Sequence, residues 1–111
     1  MEIFEEIKKN EICLLKLKGR LDVKSIKKIK GHIKLLAKQR LVNIVLDMEH
    51  IYFIDSLGLG SLVYCLRFVK QSGGDIKIAS LQAQIRALFE LTRLYRIFQI
   101  FDDAETAVKS L

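Results

Sequence analysis

At 111 residues the chain has the length of one domain, residues 1–111, and its 50% apolar content suffices for one core without a disulfide or metal staple. No segment approaches the roughly 20 apolar residues needed to cross a bilayer, so membrane insertion is not expected. The formal charge is +6 and the excess is local: Lys24, Lys27, Lys28, Lys30, Lys34, Lys38 and Arg40 fall in one short span.

Ile3 to Lys8 is a first strand candidate. Ile12 to Lys18 is a stronger one, with Cys13, Leu15 and Leu17 on one face and Leu14, Lys16 and Lys18 on the other. Asn10-Glu11 between them suits a tight hairpin. Gly19 is expected to end the strand and Asp22 to cap a helix over Val23–Gln39, whose Ile26, Ile29, Ile33 and Leu36 recur at helical spacing. Leu41 to Met48, rich in β-branched residues, reads as a buried central strand, and His50 to Ile54 as a turn. A second helix spans about Leu57 to Gln71 and stops at Ser72-Gly-Gly-Asp75. Ile76–Ala79 is a strand, Gln82–Leu91 a helix and Ile97–Phe101 an edge strand. Asp102 and Glu105 form a capping pair for a last helix at Ala104–Lys109. The order β-β-α-β-α-β-α-β-α predicts an α/β fold: a small mixed sheet, with parallel pairs joined by right-handed crossovers, and helices packed on it.

Little in the chain points to catalysis. Cys13 and Cys65 form no C-x-x-C pattern and read as buried free thiols; with an acidic N-terminus that lacks secretory character, this predicts a cytoplasmic protein. No His or Cys pair has metal-ligand spacing, and no cofactor is implied. His32 reads as a helix residue and His50 as a loop residue near Ser56; a triad of Ser56, His50 and Asp47 or Asp55 lacks the G-x-S-x-G elbow. Gly58-Leu-Gly60 lacks the third glycine of a dinucleotide fingerprint and the lysine of a P-loop, so a small phosphate- or nucleotide-binding enzyme at this helix start is only a residual alternative. Core packing is the simpler reading of Leu59 and Gly60. The lysine-rich span suits nucleic acid, anionic lipid or an acidic protein, but its simplest reading is a solvated helix face. No aromatic residues are interleaved with the lysines, so no nucleic-acid partner is expected.

Three segments in this order carry a resemblance: Gly19-Arg-Leu-Asp22, Ile44-Val-Leu-Asp47, and Phe53-Ile-Asp-Ser-Leu-Gly-Leu-Gly60, followed by Gly73-Gly74 and Ile76–Ala79. Together they resemble the STAS domain family, and within it the bacterial anti-sigma factor antagonists. The resemblance implies a non-enzymatic regulatory module that binds an anti-sigma factor or related serine kinase-like protein. It implies partner contacts at Asp22, Asp55, Ser56, Leu57 and Gly58. In that family the signature loop reads aspartate, serine, then a second serine or threonine that accepts phosphate from the partner kinase. Here that acceptor position is Leu57, so the resemblance implies a module without the usual switch; phosphorylation at Ser56 is the alternative, although Ser56 is expected to cap the second helix. Leu57 is expected either to anchor a partner or to pack on a neighbouring loop. A STAS subunit of a lipid-transport ATPase complex or of a stress-signalling assembly is a further alternative.

Overall fold

The computed structural model describes residues 1–111. Five strands form one sheet in the order β1-β2-β3-β4-β5: β1 (Glu2–Ile7), β2 (Ile12–Leu21), β3 (Asn43–Ile54), β4 (Asp75–Ala79) and β5 (Ile100–Phe101). Only the β1–β2 pair is antiparallel; β2–β3, β3–β4 and β4–β5 run parallel. The helices are α1 (Ile26–Lys38), α2 (Ser56–Gln71), α3 (Ala83–Leu91) and α4 (Ala104–Lys109). The α/β order read from the sequence is the order found.

The alternation of β2 divides the molecule into layers. Cys13, Leu15 and Leu17 point into the main core, where they meet Ile29, Ile33 and Leu36 of α1, Leu62, Cys65 and Val69 of α2, and Ile85 and Phe89 of α3. Ile12 and Leu14 point to the other face and pack with Val45, Ala79 and Ala107 of α4. The apolar stripe of α1 is therefore buried and its lysines face outward.

Several boundaries differ from the sequence reading. His50–Ile54 is strand, not turn: β3 runs on to Ile54 because β2 runs on past Gly19 to Leu21, and the two pair as Gly19 with Ile51, Arg20 with Phe53 and Leu21 with Ile54. Two register shifts and a positive φ of 120° at Gly19 absorb the irregularity that interrupts the sequence pattern. The first helix starts at Ile26 rather than Val23, because residues 22–25 close a separate turn in which the Ser25 N–H donates to the Asp22 carbonyl at 2.9 Å. The last strand is reduced to two residues, since Leu94–Arg96 form a 3₁₀ turn after left-handed Arg93. Asp103, not Asp102, caps α4 by accepting from the Thr106 N–H at 2.7 Å.

Candidate partner-docking site

The carboxyl ends of β2 and β3 lie side by side, and both chain segments leaving them turn outward there. From β3 the chain enters α2 directly. Asp55 stays extended and accepts at Oδ1 from the Gly58 N–H at 2.7 Å, so the carboxylate satisfies one of the free N–H groups of the helix start. The cap is thus Asp55 rather than Ser56, whose exposed side chain sits one residue inside the helix without a hydrogen-bond partner. The Asp55 N–H in turn donates to the Leu21 carbonyl at 3.3 Å, which fastens the helix tip to the end of β2.

Gly58 explains how close that approach is. A Cβ there would fall 2.1 Å from the Leu21 carbonyl oxygen. Gly58 is therefore buried and lets the helix seat on β2, and contact with a visitor falls to its neighbours. Gly60 has no such role: it is exposed and a Cβ would meet nothing, contrary to the core position read from the sequence, whereas Leu59 is buried as expected. Leu57 is exposed, with 55% of its surface accessible.

From β2 the chain enters the Asp22 turn. Asp22 Oδ1 accepts from the Lys24 N–H at 3.1 Å and the Ser25 hydroxyl at 3.2 Å, and Oδ2 lies 3.5 Å from Arg20 Nε. The Ser25 hydroxyl also contacts the Arg20 carbonyl at 2.6 Å. Partial desolvation opposes ionisation of Asp22, but the hydrogen bonds from Lys24, Ser25 and Arg20, with the guanidinium charge, hold its carboxyl below the usual range. Three residues that the sequence reading left out of the contact set complete the surface. The Arg20 guanidinium stacks 3.9 Å from the centroid of the half-exposed Phe53 ring, and Val23 stands exposed in the turn. The register that pairs Arg20 with Phe53 was concealed by the two shifts between β2 and β3, at each of which β3 carries an extra residue.

The chemistry of a catalytic centre is not assembled here. His50 lies in β3 opposite Lys18 and makes no hydrogen bond to Ser56, Asp47 or Asp55; His32 pairs instead with Glu5 at 2.7 Å. The Gly58 N–H that a phosphate would need is held by the Asp55 carboxylate. Both thiols are buried: Cys13 is pushed up to about 12 by desolvation and by the Glu5 charge. Cys65 is pushed up to about 11 by desolvation, against the pull of Lys30 and Lys34. Neither is a nucleophile near neutral pH. No three His, Cys, Asp or Glu side chains converge in a way that could hold a metal. No helix is long and apolar enough to cross a membrane.

The family model of the STAS domain matches this chain over residues 4–107. The chain belongs to the STAS domain family. Among the relatives of this STAS domain, the anti-sigma-B factor antagonist of Bacillus subtilis is 29% identical over 110 residues, covering 98% of this chain and all of its own. A candidate anti-sigma factor antagonist of Thermotoga maritima superposes with a TM-score of 0.90 at 23% identity, covering 97% and 92% of the two chains. A sulfate transporter family protein of Wolinella succinogenes superposes with a TM-score of 0.83 at 12% identity, covering 95% and 88%, so the same fold occurs beyond the antagonists.

Proposed function

We propose that this STAS domain is a regulatory binding module of the anti-sigma factor antagonist type, and that it docks an anti-sigma factor or related serine kinase-like protein. The docking surface is the Asp22 turn with Arg20 and Val23, and the α2 tip with Asp55, Ser56 and Leu57. One observation carries the reading: an exposed leucine stands on a carboxylate-capped helix tip where the family resemblance places a phosphate-accepting hydroxyl. A phosphate there would add nearly two negative charges and turn a docking surface into a repulsive one. Leucine cannot be so modified, and its apolar surface favours burial by a partner. The module is accordingly held in its binding-competent form.

The test mixes the domain with the anti-sigma factor kinase encoded in the same genome, with and without ATP, and measures binding by calorimetry and phosphate incorporation by mass spectrometry. Binding of equal strength under both conditions, with no phosphate on the domain, is the expected result. Absence of binding, or phosphate on Ser56, overturns the proposal.

A further inference from the structure

The net charge of the chain resides on one element. Residues 24–40 carry seven cations and no carboxylate, while the rest of the chain holds twelve Lys or Arg against thirteen Asp or Glu. In α1 these charges defy local helix preferences. Lys27 and Lys28 occupy the first turn, at the positive end of the helix dipole, with no acidic residue beside them. Lys30, Lys34 and Lys38 follow at four-residue spacing, where like charges repel.

Compensation within the fold is slight. None of the seven cations takes part in an ion pair. Lys28 donates to the Met1 carbonyl at 2.6 Å, and Lys30 lies 4.2 Å from the Tyr64 ring centroid. Glu5 is paired with His32 of α1, and Asp22 is held within its own turn.

Two further residues shape this face. By helical spacing, Gly31 and Leu35 lie along the middle of the lysine stripe. Gly31 is a poor helix former with open space around it, so no packing contact inside the fold requires it. Leu35 is 59% exposed. Together they make a low apolar centre bordered by lysines.

We propose that α1 is a reversible electrostatic anchor for an anionic lipid bilayer, with the lysines at the headgroups and Leu35 entering the interface. A row of strongly hydrated lysines around an exposed leucine matches an anionic headgroup plane with an apolar layer beneath it. No aromatic side chain stands among the lysines, and the two rings beside the stripe, Tyr64 and Phe68, stack on each other beneath Lys30 and Lys34, which disfavours single-stranded nucleic acid. The anchor does not depend on which protein docks at the α2 tip.

The test is co-sedimentation of the full chain with phosphatidylcholine vesicles, with and without a third of phosphatidylglycerol, at low and high salt. The expected result is binding to the anionic vesicles alone, released by salt. Neutralising Lys27→Gln with Lys38→Gln should weaken partition about 25-fold, at about fivefold per charge near the surface. Lys9→Gln with Lys109→Gln removes the same charge off the stripe and should leave partition within about twofold of wild type once screened in this way. Thermal melts establish that each variant is folded. Equal binding to neutral vesicles, equal losses from both double variants, or retention by duplex DNA but not by anionic vesicles would overturn the proposal.

Discussion

Two glycines two positions apart, Gly58 and Gly60, separate what the fold needs from what it tolerates. Gly58→Ala forces a Cβ against the Leu21 carbonyl and should cost about 2–3 kcal/mol, the range of backbone-level overpacking. Gly60→Ala enters open space in a helix and should stabilise by about 0.5–1 kcal/mol. Urea denaturation of the two variants reads both signs, and equal effects would refute the seating of α2 on β2. At Leu57 the consequence is for binding rather than folding. Just over half of its surface is available to a partner, so Leu57→Ala should leave stability nearly unchanged and weaken partner affinity about 5–10-fold. Calorimetry beside a thermal melt separates the two effects. For Asp22, the fold favours the ionised form, because its carboxyl lies below its ordinary value of 3.8. The stability it contributes is complete above that value and is lost as the pH falls through the lowered one. Asp22→Asn should therefore flatten the acid limb of the stability profile in that window, and a carboxyl-carbon NMR titration checks the lowered midpoint directly.

Among the elements, those with one clean period were legible in the sequence. The alternation of Cys13, Leu15 and Leu17 and the helical spacing of Ile29, Ile33 and Leu36 mark faces that the core then buries. What was not legible is pairing that depends on a neighbour. His50–Ile54 follows Asp47, Met48 and Glu49, which break the apolar run, and reads as a turn, yet the extension of β2 past Gly19 gives it a partner. Two caps were readable to within one residue: Asp55 and Ser56, and Asp102 and Asp103, are adjacent good cap formers, and local backbone geometry selects between them, whereas the cap expected at Asp22 falls three residues on, at Ser25. The candidate site followed the same division. Asp22, Asp55, Ser56 and Leu57 were visible as a motif, whereas the contributions of Arg20 and Phe53 depend on the register between β2 and β3. The short helix α4 tests whether an element of six residues is integral. Together with Phe101 and Leu111 it covers Ile12, Leu14, Val45 and Ala79, with Ala107 fully buried among them. Ala107→Asp places a carboxylate in that layer and should cost about 3 kcal/mol or more in urea denaturation. A negligible loss would show that α4 detaches freely.

For the molecule as a whole, the two thiols report on how its layers open. Cys13 lies near the start of β2 and Cys65 on the inward face of α2, and both belong to the main core. Alkylation needs the thiolate and an approach path. With both thiols raised well above neutral, and both sealed by α1, α2 and the sheet, neither condition is met without opening that core. If the sheet and its helix layer unfold as one cooperative unit, the two cysteines should react with iodoacetamide at the same rate in the native protein, and that rate should follow global stability when urea is added. If α2 instead lifts away from the sheet as a smaller unit, Cys65 and Cys13 would still both gain solvent, but at an opening free energy below the global one and with little dependence on urea. Mass spectrometry of the partly alkylated protein distinguishes these outcomes. Cooperative opening is the expected one, because the inward face of α2 shares one core with the sheet and its tip is tied to β2 by the Asp55 N–H to Leu21 carbonyl bond and by the close seating of Gly58.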